Sequence, residues 1–361
     1  MRSGTRPAAT LRSAADLVAA GLAPPERLAA LERVAAHYAV ALTPELAALI
    51  DPADRQDPIA AQFVPDPAEL DRKAEESVDP IGDDAHSPVE GIVHRYPDRV
   101  LLKLAHVCAV YCRFCFRREM VGPGRRRALA PASRAAAFAY IRDHREIWEV
   151  ILTGGDPLIL SASRLREALQ ALASIDHVKV VRVHTRVPIA APALITAALV
   201  RALKASGKAT YVVLHANHPR ELAPPARAAC ARLIDAGIPM LSQSVLLRGI
   251  NDEPATLAAL LRALVECRIK PYYLHHGDLA PGTAHLRTTI GDGQALMRAL
   301  HGRVSGLCQP AYMLDIPGGH GKAPIGPSYI GSVPDACGEA RYVVDDFKGG
   351  RHVYPPAAAS E

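Results

Sequence analysis

Three cysteines fall within eight residues, Cys108, Cys112 and Cys115, in the run HVCAVYCRFCFRRE. The spacing is Cys-x3-Cys-x2-Cys, with no fourth cysteine nearby. With seven cysteines in 361 residues, such a triplet is expected by chance only about 0.003 times per chain. Three thiolates can hold a 4Fe–4S cube by three irons, and the fourth iron is then open to a ligand, which suggests chemistry rather than electron storage alone. A second concentration is Asp315-Ile316-Pro317-Gly318-Gly319-His320-Gly321-Lys322, where proline and three glycines shape an exposed loop that ends on a lysine. It is not a phosphate loop of the Walker type, because Ala323 follows the lysine where Ser or Thr is required. The lysine is either a surface residue on a flexible loop or a Schiff-base former of the kind pyridoxal phosphate enzymes need.

Other polar groups surround these two features. Gly154-Gly155-Asp156 lets the backbone approach a ligand closely and offers a carboxylate to an amine, although a plain β–α turn reads the same way. Arg95, Tyr96 and Arg99 in HRYPDR can clamp a phosphate or form a solvated approach loop. Arg117 and Arg118 follow the last cysteine and are expected to face its pocket, with a carboxylate as the natural partner. Asp278 and Asp315 adjoin candidate site loops, as a general acid/base pair or as receptors for an ammonium group.

The elements that must position these groups begin near Arg99. Six short strands are expected at Val100–Leu104, Glu149–Leu152, Val178–Val183, Tyr211–Leu214, Met240–Leu247 and Pro271–Leu274. Helical patterns lie between them near 132–146, 162–174, 191–206, 221–236 and 254–268. Strands with helical crossovers mean an α/β fold with a parallel sheet. Each strand carries its unusual polar residues at or near its C-terminal end, where a barrel places its active site; an open sheet would gather them at one switch point. The expectation is therefore a partial (βα)6 barrel of the TIM type. It has an N-terminal helical and wrapping segment (1–90), the barrel itself (91–304) and a C-terminal lysine loop and tail (305–361). Within the first part, Leu28, Leu31, Val34, Ala35 and Tyr38 recur at helical spacing. Thr43-Pro44-Glu45 reads as an N-cap followed by proline at the first helical position, and the Pro- and Asp-rich stretch 51–98 reads as a linker or wrap.

With 49% hydrophobic and 22% charged residues the chain can bury a sizeable core. The net charge of +5 is mild, aromatics are only 5%, and no basic block is interleaved with them. Nucleic acid and membrane surfaces are therefore not the expected partners. The run Arg125-Arg126-Arg127 reads as a solvated loop, and no apolar run reaches a membrane span. The N-terminus has arginines but no apolar core followed by a cleavage site, which fits a cytoplasmic protein. Cys230, Cys267, Cys308 and Cys337 are scattered singly and read as small buried hydrophobes in a reducing compartment.

Taken together, Cys108-x3-Cys112-x2-Cys115 with Phe114 before the last cysteine, followed by Gly154-Gly155-Asp156, resembles the radical S-adenosylmethionine (SAM) enzymes. Within that superfamily the chain is similar to the lysine 2,3-aminomutase family. HRYPDRVLL, CRFCFRR, LTGGDPL, SQSVLLRGIND, PYYL followed by an aspartate, and DxPGGxGK occur in the family's order, from about residue 57 to about residue 324. The resemblance implies roles by position. Cys108, Cys112 and Cys115 would bind the 4Fe–4S cluster, with SAM on its open iron and held by Gly154, Gly155 and Asp156. Lys322 would carry pyridoxal 5′-phosphate (PLP), whose phosphate would meet Arg95, Tyr96, Arg99 and Gln243. Arg117 would meet the substrate carboxylate. Asp278 and Asp315 would hold the ε-ammonium of L-lysine, and relatives acting on glutamate have basic or amide groups in place of that pair.

The implied reaction is an isomerisation. It moves the α-amino group of L-lysine from C2 to C3 through a 5′-deoxyadenosyl radical and an imine between lysine and PLP, giving β-lysine. An electron donor such as flavodoxin or ferredoxin is implied as well. Three alternatives stand beside it: an elongation factor P-related enzyme forming (R)-β-lysine, an aminomutase for another amino acid, and a non-catalytic iron–sulfur sensor. Intact Lys322, Arg95, Arg99, Asp278 and Asp315 speak against the sensor. Two departures from the family pattern stand out. His320 replaces the usual glycine before Gly321. Glu253 stands where long-form members place a zinc-binding cysteine, and the tail has only Cys337. The structural zinc and its intersubunit contact are thus expected to be absent, which points away from a tetramer and leaves a homodimer.

Overall fold

Short runs of β-branched residues become strands buried on both faces, and the Leu- and Ala-rich stretches between them become covering helices. The computed structural model describes residues 9–122, 128–334 and 340–355. Nine strands form one curled sheet in chain order: β1 (Ile92–Tyr96), β2 (Arg99–Ala105), β3 (Glu149–Gly154), β4 (Val180–Thr185), β5 (Ala209–His215), β6 (Met240–Val245), β7 (Ile269–His275), β8 (Ala311–Asp315) and β9 (Lys322–Pro324). Strands β2 to β8 are parallel to their neighbours, while β1 and β9 run antiparallel at the two edges. This is a partial TIM-type barrel. The helix Ala162–Ala173 shows how the layers meet: Leu165, Ala168, Leu169 and Leu172 recur on one face and are buried against the sheet.

The six expected strands correspond to β2–β7. The parallel strand β8 was not among them, because the helix before it, Ile290–Leu300, contains Gly291 and Gly293, which weaken its helical pattern. Thr43 does occupy an N-cap position before Pro44, but its side chain makes no capping hydrogen bond. The fixed backbone of Pro44 is what starts that turn.

The segment between the N-terminal helices and β1 wraps the barrel, and one buried ionic cluster explains why it stays there. Glu69 is fully buried and pairs with both Arg113 and Arg118, which flank Cys115. Arg113 Nε donates to Glu69 at 2.9 Å and its Nη1 donates to the Ala39 carbonyl at 2.8 Å. Arg118 stacks 3.5 Å over the Tyr38 ring and also donates to the Arg113 and Gly282 carbonyls. Arg118 lines a small pocket together with Cys108, Cys112 and Cys115, whereas Arg117 lines the larger cavity beside the same cysteines. The two consecutive residues thus line different pockets. Glu69→Gln leaves two buried guanidiniums without their shared anion, and is expected to lower stability by about 3–5 kcal/mol in denaturant titration.

A separate antiparallel sheet, β10 (Ile330–Pro334), β11 (Ala340–Asp345) and β12 (Arg351–Tyr354), forms the tail. Residues Arg125 to Arg127 and Cys337 lie outside the described residues. Cys230 and Cys308 are buried as expected, while Cys267 is only partly so. Among the described residues no helix is long and apolar enough to cross a membrane.

Candidate active site

A cavity of about 450 Å³ runs through the inside of the curled sheet, from Arg99 and Glu149 at the amino ends of β2 and β3 to the loops after their carboxyl ends. Every candidate site residue reaches it: Cys108, Cys112, Cys115, Gly154, Gly155, Asp156, Arg95, Tyr96, Arg99, Gln243, Arg117, Asp278, Asp315 and Lys322 all line its wall. Residues more than two hundred positions apart are thus brought to one surface by the barrel.

The three cysteines sit on the loop after β2, as free thiols. Burial pushes all three thiols up, Cys112 to about 11 although the Arg186 guanidinium opposes the shift. Cys108 is raised further by the Asp156 charge and by its two sister thiols. Three desolvated thiols, whose thiolates would repel one another, fit a polynuclear cationic iron centre, which would displace their protons and spread their charge.

Beside them, β3 ends where the backbone has no room for side chains. A Cβ on Gly154, whose φ is +110°, would lie 2.4 Å from the Ala105 carbonyl oxygen, and one on Gly155 would lie 2.3 Å from that of Val107. The glycines let β3 pack directly on the strand leading into Cys108, with Gly155 N donating to Ala105 O at 2.6 Å. The Asp156 carboxylate is turned into the protein. It accepts from Thr185 Oγ1 at 2.7 Å, Arg186 N at 2.7 Å and Leu158 N at 3.0 Å. Burial raises its pKa against those hydrogen bonds.

Arg186 continues the chain of contacts: its Nη1 donates to Cys112 Sγ at 3.2 Å, and its Nη2 reaches Gln62 Oε1 at 2.7 Å and pairs with Glu221. Arg186 directly follows β4, where polar residues were expected, but no local pattern in the sequence singles it out. Its partners come from distant segments, and no local spacing marks them.

At the other end of the cavity, Lys322 opens β9 directly across from Asp315 on β8. Its Nζ pairs with Asp315, and its backbone N–H donates to Tyr96 Oη at 2.7 Å. Burial, which pushes Asp315 up, is overcome by His275, 3.5 Å away, and by the Lys322 charge, so Asp315 stays well below the ordinary carboxylate range. Asp278 behaves oppositely: burial and then the Asp315 charge push it up to about 7. The Arg99 guanidinium stacks 3.8 Å over the Tyr96 ring at the turn between β1 and β2. Gln243 Nε2 lies 3.4 Å from His184 Nδ1. His320 is exposed at the tip of the β8–β9 turn and does not line the cavity.

Arg95 and Arg117 converge on one buried carboxylate, Asp83, which was not anticipated from the sequence. It stands in the irregular Asp-rich stretch before β1, where several acidic residues look alike and none has a diagnostic spacing.

Residues 102–261 match the family model described as the radical SAM superfamily. The chain is 40% identical over 306 residues to the L-lysine 2,3-aminomutase of Acetoanaerobium sticklandii, covering 85% of this chain and 73% of that protein. It is 40% identical over 292 residues to the L-lysine 2,3-aminomutase of Clostridium subterminale, covering 81% and 70%. It is 36% identical over 300 residues to the glutamate 2,3-aminomutase of Clostridioides difficile, covering 83% and 70%.

Proposed function

The chain belongs to the radical SAM superfamily and, within it, to the lysine 2,3-aminomutase family of isomerases, and from that premise we propose that it converts L-lysine to β-lysine by moving the α-amino group from C2 to C3. The observation that carries the choice of lysine is the acidic pair Asp278 and Asp315 in the same cavity as Lys322 and Arg117. An ammonium at one end of the substrate and a carboxylate at the other match an acidic end wall and a basic side wall.

The residues fit the groups that this reaction needs. Cys108, Cys112 and Cys115 would hold a 4Fe–4S cluster, with the turn Gly154-Gly155-Asp156 next to it for SAM. Lys322, Arg95, Tyr96, Arg99 and Gln243 would hold PLP. When bound, the cluster and SAM supply a hydrogen-abstracting radical, and PLP supplies a conjugated ring that accommodates the unpaired electron. The protein's own residues then have separate tasks. Asp315, ionised throughout the neutral range, and Asp278 hold the distal ammonium. Arg117 orients the carboxylate, so that the C2–C3 bond is set in one place. The buried wall around Phe114 and the cysteine loop keeps water away from reactive carbon centres. The reading also places the enzyme in the reducing cytoplasm, as a homodimer served by a flavodoxin- or ferredoxin-like donor; the free cysteines support the compartment.

The test is an anaerobic assay with SAM, PLP, dithionite and a panel of amino acids, read by mass spectrometry and chiral chromatography. β-Lysine from L-lysine is expected, and its hand separates the two lysine enzymes of opposite stereochemistry. Turnover of glutamate without lysine overturns the reading. A pH series sharpens it. Below about pH 7 Asp278 is protonated and attracts an ammonium less; above it the carboxylate is charged. Lysine binding should therefore tighten as pH rises through about 7, by up to ~2 kcal/mol or roughly 30-fold, and Asp278→Asn should flatten that dependence.

A further inference from the structure

Asp83 belongs to none of the groups assigned so far. Its side chain is 2% exposed. Its Oδ1 accepts from Arg95 Nη2 at 2.9 Å, and its Oδ2 accepts from Arg117 Nη2 at 2.8 Å and Nε at 3.3 Å. Burial, which raises its pKa, is overcome by Arg117 and then by Arg95, so the group is held below the usual carboxylate range. The backbone on either side is pinned as well. Asp83 N donates to Asp79 Oδ1 at 2.8 Å, and the Asp83 carbonyl accepts from Ser87 Oγ at 2.8 Å. Three residues on, the His86 ring donates through Nε2 to the Gly319 carbonyl at 3.0 Å, in the turn that leads to Lys322. One short segment thus grips both arginines and the lysine turn.

Two guanidiniums drawn to one buried carboxylate are fixed relative to each other. Arg117 spends its Nε/Nη2 edge on Asp83, which leaves Nη1 and the outer Nη2 hydrogen for another anion. Without the carboxylate the two cations would repel each other across a desolvated gap. Resting on the function proposed above, we infer that Asp83 is a positioning residue which sets Arg117 for the carboxylate of the amino acid substrate. It acts through Arg117, from the wall of the same cavity.

The experiment compares two ligands on PLP-loaded protein without reductant, so that nothing turns over. L-Lysine and 1,5-diaminopentane share the distal ammonium and the reactive amine, and only lysine has the carboxylate. Binding is followed by the change in cofactor absorbance. With Asp83→Asn, the Kd for lysine is expected to rise about tenfold or more while that for the diamine changes less than about threefold. Asp83→Glu should recover part of the lysine affinity. Equal weakening of both ligands would make Asp83 a structural residue, no change would remove its role, and lysine-selective tightening would make it a competitor of substrate; each overturns the inference. If Asp83→Asn does not fold by circular dichroism, the same comparison on Asp83→Glu decides, with a smaller lysine-selective loss expected. Wild-type protein that loads PLP but ignores lysine would instead refute the aminomutase reading itself.

Discussion

Replacing Lys322 with alanine should abolish the visible absorbance that PLP acquires on binding and reduce turnover about 10³-fold or more. Lys322 is the one lysine among the described residues that line the cavity. Its backbone is held by the β8–β9 ladder and by Tyr96, neither of which needs the side chain. The side chain is 29% exposed, so truncation opens no sealed core. Alanine therefore removes the amine and leaves the scaffold in place. The loss cannot be blamed on unfolding if the thermal midpoint stays within a few degrees of wild type. A cofactor spectrum unchanged by the substitution would sink the assignment of Lys322.

Cys112→Ser is the second substitution with a near-total expected effect. Serine matches the thiol in shape but offers a harder, more weakly binding ligand to iron. Arg186, which donates to Cys112, keeps Gln62 and Glu221 as partners, so the surrounding network should survive. After anaerobic reconstitution, iron per chain should fall to about a tenth of wild type or less. Dithionite-driven formation of 5′-deoxyadenosine from SAM should be lost with it. Full iron content with continued deoxyadenosine formation would show that the thiol of Cys112 is not a ligand.

How much of this was legible in the amino-acid order depends on the range of each interaction. The cysteine triplet, the glycine turn and the lysine loop are local patterns, and all of them reach the same cavity. The barrel was legible because strands and helices alternate with clear periods, and the polar strand ends picked the carboxyl face. Three kinds of feature were hidden. Strand β8 follows a helix diluted by two glycines. Arg118 and Arg117 are neighbours that line different pockets, a choice only the packed loop makes. Asp83, Glu69 and the partners of Arg186 are ordinary polar residues until folding brings a distant charge beside them. Buried ion pairs of this kind are chosen by three-dimensional proximity, and a single sequence carries no mark of which acid meets which base.

The two antiparallel strands at the ends of the curled sheet have a consequence for the chain at high concentration. An unclosed barrel exposes two rows of backbone donors and acceptors, each a template on which another copy could add a strand. Here β9 is three residues long and ends in Pro324, which has no N–H to offer. At the opposite rim, β1 is five residues long and its pairing is irregular between Val93 and Tyr96. Short, interrupted rims discourage edge-to-edge aggregation, so the barrel stays open for its ligands without inviting a second chain to close it.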